Sequence, residues 1–303
     1  MTSKHDHAWT DFWAQNRKSG QKGGCMPAKW QGIDAAQKEV WYHFSSDLKR
    51  GARVLDVATG DGQVMAWLLA KRRDLKLTGV DMAPQLPDAP AGTKICAGVS
   101  MEALPFPDQK FDGATSQFGF EYGDITKAAA ELARVVRDGG KIGIMTHRID
   151  GQILEHNLRR REQIGWALAD QDLIETAKRS LKLRASGLQS ISPKLSAAPA
   201  EGARLFGEGT VAWEIAEAIR RTLIMGARDH PANVTGVLDT IAARAKNEMG
   251  RIASLEAACG QTSDESAFEK AIAAGGLSQS SIEPVVEQAT KRPFADFRIL
   301  FSQ

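Results

Sequence analysis

From Arg53 onward, short apolar runs alternate with segments of helical pattern: RVLDVA, QVMAWLLAKR, KLTGVD, FDGATSQ, AAAELARVV and KIGIMTH, the last ending at His147. This alternation is the mark of an α/β fold, a mostly parallel, Rossmann-like sheet covered by helices. Right-handed crossovers then gather the strand ends at 56–60, 81–83, 116–118 and 145–147 along one edge, where such a sheet holds its ligand.

Around that core the chain divides into an N-terminal helical segment (1–50), the core itself (51–149), a helical block (150–260) and a C-terminal helix with a strand hairpin (261–303). Trp9, Phe12 and Trp13 have helical spacing, and residues 34–49 predict a second helix. Helical patterns fill 151–183, 210–226 and 232–258, with 186–202 (SGLQSISPKLSAAPAEG) reading as a break. The block is too large for an ordinary connection and is expected to act as a cap or substrate domain over the strand ends. Beyond it, SAFEKAIAAGG predicts a helix. Extended segments at 280–287 and 297–301, joined by a turn at Lys291–Pro293, predict an antiparallel hairpin that rejoins the sheet.

Composition excludes several classes. A balance of 39 basic and 37 acidic residues, net +2 over 303 residues, gives no field for a polyanion, so nucleic-acid binding is not expected. No run of about 20 apolar residues predicts a membrane insertion, and the polar start lacks the apolar stretch of a secretion signal. Cys25, Cys96 and Cys259 are too far apart for a disulfide framework or a zinc cluster and fit a reducing cytoplasm. The six histidines form no compact ligand motif, so no metal is expected, and the absence of G-x-x-x-x-G-K-[ST] argues against nucleotide hydrolysis.

The most informative local sequence is VLDVATGDGQV at 54–64. Gly60 and Gly62 permit a tight turn and a close ligand. A dinucleotide fingerprint counted from 58 would need G-x-G-x-x-G, but the chain supplies Ala58, Thr59, Gly60, Asp61, Gly62 and Gln63. The last glycine is missing, and Asp56 and Asp61 set negative charge where pyrophosphate would lie. Those carboxylates suit an amino group and an adjacent positive sulfonium instead. Asp81, ending KLTGVD, can accept from two ribose hydroxyls while Met82 supports an adenine face. An acid there would equally serve a nicotinamide nucleotide or cap a turn, so Asp81 alone separates nothing. In GVSMEALPFPD (98–108), Ser100 and the Met101 backbone are candidates for the adenine edge. Leu104 and Phe106 offer an apolar wall there, or are simply a core loop.

VLDVATGDG, TGVDM, MEALPFPDQKFDGATS and LARVVRDGGKIGIM, in that order over roughly 53–147, resemble the class I methyltransferases that use S-adenosylmethionine, particularly the ubiquinone and menaquinone C-methylase-like branch. The resemblance implies a seven-stranded sheet with Asp56, Ala58, Gly60 and Gly62 around the methionine portion. It further implies Asp81 on ribose, Ser100 and Met101 on adenine, and Gln117 beside the cofactor. Two positions depart from the family pattern. Ala58 replaces a common glycine and fits if that backbone needs no positive φ, and Ser100 stands where an acid is frequent. The long block at 150–260 has no evident match in the shorter insertions of the quinone enzymes.

A bound sulfonium already carries its leaving group, so the protein's task is alignment and exclusion of water. Candidate catalytic residues follow two strand ends: His147 to take or polarise a proton, with Glu121 and Tyr122 to guide it. Candidate substrate contacts are Phe118 and Phe120 at the strand end, Trp13 and Trp30 from the N-terminal side, and His156, Arg159 and Trp166 from the cap. The expected function is direct methyl transfer to a small, partly apolar or aromatic molecule, with the acceptor atom left open among oxygen, nitrogen, sulfur and carbon. A noncatalytic cofactor-binding or regulatory subunit and a peptide or protein methyltransferase are the alternatives, and an NAD oxidoreductase ranks below them. A homodimer through the helical cap is compatible with its amphipathic helices but not required by them.

Overall fold

The computed structural model describes residues 4–19, 31–185 and 191–302. Helices α1 (Lys4–Ser19) and α2 (Gln31–Ser46) precede β1 (Arg53–Val57), α3 (Gln63–Lys71), β2 (Lys76–Asp81) and β3 (Lys94–Ala97). Next come β4 (Phe111–Gln117), α4 (Ile125–Val135), β5 (Val136–His147), α5 (Gln152–Gly165), α6 (Leu173–Ala185) and α7 (Pro193–Phe206). The chain ends with α8 (Val211–Met225), α9 (Pro231–Ser263), α10 (Glu265–Ala274), β6 (Leu277–Val286) and β7 (Pro293–Ser302).

The seven strands lie in the order β3-β2-β1-β4-β5-β7-β6. Neighbours from β3 to β5 are parallel, and β7 runs antiparallel to both β5 and β6. This is the expected Rossmann-like, mostly parallel sheet closed by a terminal hairpin. The chain forms two compact units: residues 1–154 with 253–303, which hold the whole sheet, and residues 155–252.

Alternation sorts the strands' side chains between two faces. On one, Leu55, Val57, Ala114, Ile142 and Ile144 join Leu132 of α4, Phe268 of α10 and Leu300 in a dry core. On the other, Trp41 and Phe44 of α2 meet Phe297 edge-on at centroid distances of 5.3 and 6.4 Å. Gly143 makes room for them, since a Cβ there would fall 2.8 Å from the Phe44 ring. The direction of α2 follows from its neighbours. Leu48 lies near Gly113 inside β4, Phe44 beside Gly143, and Trp41 reaches Gln117 at the end of β4. The helix therefore runs against the strands, and its N-terminal half stands at the level of their C-terminal ends.

The helical unit has a core of its own, including Ile164, Trp166, Leu173, Leu195, Ala212, Ile219 and Leu238. Here the structure corrects two expectations. The span 151–183 is two helices, separated by a π-helical turn at Trp166–Asp170 and by Asp172 at φ +47. The break expected at 186–202 contains most of α7: Pro193 opens that helix, where a missing N–H costs nothing, and Pro199 sits buried within it. Strand β3 gave no sequence signal because it is four partly exposed residues at the sheet edge. Among the described residues, no helix is long and apolar enough to cross a membrane.

Candidate active site

The turn after β1 is built by its own side chains. Asp56, buried at 2% exposure, accepts from the hydroxyls of Thr59 at 2.6 Å and Thr115 at 2.7 Å. Burial, above all, pushes its carboxyl up to about 6, with Asp81 and Asp61 adding to the rise and the two hydroxyls opposing it. Asp81 accepts from the amides of Gly60 at 3.0 Å and Ala83 at 2.9 Å, which ties the ends of β1 and β2 together. Burial raises its pKa against the pull of those amides. The loop amides are largely committed: Thr59 to the Val80 carbonyl, Gly62 to the Thr59 carbonyl, Gln63 to the Asp61 side chain. An ionised Asp81 keeps further lone pairs for two vicinal hydroxyls.

Ala58 adopts φ +54, so the condition under which alanine would fit without cost is not met: a Cβ is held in the left-handed region. Its partner across the site is Gly119, where a Cβ would fall on that of Ala58 well inside 3 Å. Gly60 and Gly62 take φ +55 and +76, and a Cβ at Gly60 would meet the Trp13 indole at 2.5 Å. The glycine loop is therefore a cradle lined by two acids and covered by an aromatic ring of α1.

The loop at 98–108 is clamped by Arg134, which donates to the carbonyls of Leu104 at 3.0 Å and Phe106 at 2.6 Å while paired with Glu131 and Asp108. Ser100 Oγ accepts from the Glu102 amide at 3.2 Å, and Met101 packs beside Gly123. Leu104 and Phe106 face the sheet core. Met82 is half exposed beside Asp81.

At the ends of β4 and β5 a second group forms. Glu121, with no exposed surface, accepts at Oε1 from the His147 backbone amide at 3.0 Å and lies 2.8 Å from His147 Nδ1. An oxygen that already accepts a backbone N–H calls for a proton on the facing ring nitrogen, so an ionised Glu121 fixes the Nδ1–H tautomer and leaves Nε2 as a lone-pair base. Phe118, itself at φ +55, stacks on the imidazole with centroids 4.0 Å apart, and Tyr122 stands edge-on at 6.1 Å. Thr262 and Gln261, from the last turns of α9, hydrogen-bond the carbonyls of His147 and Glu121. Behind them Cys259 is buried, its thiol pushed up to about 12 by burial and by Glu121.

A row of aromatic contacts joins the two groups. Trp9 meets Tyr122 and Phe12 at 5.7 Å each, and Phe12 meets Trp13, which lies on Gly60. The structure thus assembles Trp13, Asp56, Ala58, Gly60, Gly62, Asp81, Gln117, Phe118, Glu121, Tyr122 and His147 at one sheet edge. Phe120, expected to wall the pocket, is fully buried in the core against Phe268 because its short 3-10 turn rotates it inward. Trp166 packs against Phe206 inside the helical unit. His156 and Arg159 lie on α5 of that unit, where Arg159 pairs with Glu155, and Trp30 is outside the described residues. Sequence reasoning missed Thr59, Thr115, Gln37, Trp41 and Arg134. Only Thr59, three residues after Asp56, left a local signal.

Chemically, the cradle fits a nucleoside whose sugar has two free hydroxyls and whose other end is cationic. Residues 55–144 match the family model described as a methyltransferase domain. The chain is 33% identical over 116 residues to a demethylmenaquinone methyltransferase of Thermus thermophilus, covering 35% of this chain and 53% of that one. It is 37% identical over 101 residues to the demethylmenaquinone methyltransferase of Deinococcus radiodurans, covering 31% and 42%. It is also 32% identical over 154 residues to a 2-phytyl-1,4-naphtoquinone methyltransferase of Synechocystis, covering 46% and 62%. The chain thus spans about half the length of the curated relatives it matches. Motif order and sheet topology agree with that match, and residues 55–144 are a methyltransferase domain of the class I kind that takes S-adenosylmethionine.

Proposed function

We propose that the protein transfers a methyl group directly to a small, partly apolar or aromatic acceptor, with His147 as the base that receives the acceptor's proton. S-adenosylmethionine supplies, when bound, a methyl on positive sulfur that departs as a neutral thioether. Asp81 would hold the ribose hydroxyls, Asp56 would face the cationic amino-acid end, and Met82 with the 98–108 loop would hold the base. Trp9, Phe12, Trp13, Phe118 and Tyr122 would give the acceptor apolar walls and keep water from the charge-bearing centre.

The observation that carries this reading is the Glu121–His147 pair beside the row of aromatic rings. A hydroxyl acceptor loses its proton to Nε2 as its oxygen, or the ring carbon that oxygen activates, bonds to the methyl. The imidazolium so formed is stabilised by the Glu121 carboxylate at Nδ1. The names of the quinone-methylating relatives favour a hydroxyaryl or quinol acceptor.

The test is product formation. The purified protein is incubated with S-adenosylmethionine and a panel that includes 1,4-dihydroxynaphthalene, a catechol, a primary amine and a peptide library, with methylated product and S-adenosylhomocysteine read by mass spectrometry. Methylation of a hydroxyaryl compound, lost in His147→Asn, is the expected result. Methylation of peptides alone, or tight cofactor binding with no transfer in any arm, contradicts the proposal.

A further inference from the structure

Gln37 lies on α2, one turn before Trp41 and so at the level of the strand ends, with 2% of its surface exposed. Its amide orientation is fixed through a chain of partners. The Trp41 indole can only donate, and it donates to Gln117 Oε1 at 2.6 Å. Gln117 must then present its Nε2 group to Gln37, whose Oε1 accepts at 3.4 Å. The amide of Gln37 is thereby turned so that Nε2, buried and without a hydrogen-bond partner, is the loose end. A buried amide donor left unmatched is costly, and such groups in a binding cleft mark a place for an acceptor.

The position says which acceptor. Gln117 lies two residues beyond Thr115 on the same face of β4, and Thr115 pairs in register with Asp56 on β1. Gln37 therefore stands beside the amino-acid end of a nucleoside held by Asp81. That end carries an ammonium group, which the Asp56 side satisfies, and a carboxylate, which the acids of the cradle repel. The amides of Thr59 and Gly60 are already engaged by Val80 and Asp81 of β2, and those of Gly62 and Gln63 within the turn.

We infer that Gln37 Nε2 donates to the α-carboxylate of the cofactor, with Trp41 and Gln117 as the groups that aim it. The inference rests on the S-adenosylmethionine reading of the cleft and adds a residue outside the 55–144 domain to its ligand set. It makes discrimination for the amino-acid portion a property of α2.

The experiment is titration calorimetry of the full chain with two probes, S-adenosylhomocysteine and 5′-methylthioadenosine, which share the nucleoside but differ in the amino-acid portion. Gln37→Met removes the donor at similar volume. Gln37→Glu keeps the acceptor for Gln117 and sets a negative oxygen where the donor was. Both should weaken S-adenosylhomocysteine by about 10- to 100-fold, the range of a hydrogen bond to a charged group, and leave 5′-methylthioadenosine within about twofold. If both probes weaken together, or neither does, Gln37 is not a carboxylate donor and the inference is overturned while the cofactor reading stands. A wild-type chain that binds neither probe overturns the cofactor reading and this inference with it.

Discussion

Ala58 and Gly119 should be coupled. Ala58 holds its Cβ at φ +54, and a Cβ at Gly119 would fall on it inside 3 Å, whereas the other atoms near that point, Ser116 Oγ and Ala58 Cα, lie at 3.4 and 3.6 Å. Gly119 itself has φ −142, so an alanine there meets a steric cost and no left-handed one. Forcing a methyl into a packed site costs about 1–3 kcal/mol. Ala58→Gly relieves about 1 kcal/mol of left-handed strain and returns a similar amount as unfolded-chain entropy, so alone it should be nearly neutral. Gly119→Ala alone should cost about 2 kcal/mol, and in the Ala58→Gly background less than about 1 kcal/mol, a coupling of about 1–2 kcal/mol. In a unit of this size each kcal/mol moves the midpoint by about 2–4 °C. Scanning calorimetry with and without S-adenosylhomocysteine identifies the α/β transition as the ligand-shifted one and reads all four proteins. If Gly119→Ala is as harmful in the Ala58→Gly background as it is in the wild type, the steric reasoning is refuted.

Three further outcomes follow from the site. Asp56 titrates near 6 in the folded chain and near 3.8 unfolded, so the native state binds the extra proton between these values. Its contribution to stability is greatest below about pH 4 and is lost as pH rises through about 6, for a total of about 3 kcal/mol. Asp56→Asn should therefore flatten that part of the stability–pH curve measured by urea unfolding, and an unchanged slope rejects the assignment. Ligand affinity should move the other way: a cationic cofactor prefers ionised Asp56, so binding measured by calorimetry should weaken about tenfold per unit below about pH 6 in the wild type and stay flat in Asp56→Asn. Finally, His147→Asn should lower kcat on an acceptor found in the panel by about 100- to 10,000-fold with S-adenosylhomocysteine affinity unchanged, and Glu121→Gln should lower it less. Equal loss of cofactor binding would make the pair structural.

What the sequence revealed, and what it hid, divides along a physical line. Strands β1, β2, β4 and β5 were legible because short, largely buried runs recur between helical patterns even where Asp56, Thr78 or Thr115 interrupts their apolar character, and Asp56, Gly60 and Asp81 were legible because the turns at two adjacent strand ends carry them. Phe120 misled because a residue three past a strand end can point either way, and only the 3-10 turn after Gly119 decides that it enters the core. The Gln37–Gln117–Trp41 chain joins residues up to 80 positions apart, and no periodicity encodes which α2 residue stands at the strand ends. The positive φ at Ala58 was equally hidden, since the room for its Cβ is made by a glycine 61 positions later on another strand end.

The same features explain why the cleft is acidic yet well formed. The buried Asp56 and the partly buried Asp81 cost stability, and the chain offsets part of that cost with paired hydroxyls on Asp56 and paired amides on Asp81. On the proposed reading a cationic ligand would recover the remainder on binding, coupling recognition of positive charge to the stability of the turn.

The central claim is that this acidic strand-end cradle is selective for a sulfonium nucleoside. Calorimetric titration of the full chain with S-adenosylmethionine, NAD and ATP in parallel tests it most directly. Binding of S-adenosylmethionine alone, weakened at least about tenfold by Asp81→Asn, is the predicted result. Tight binding of NAD or ATP with none of S-adenosylmethionine would contradict it.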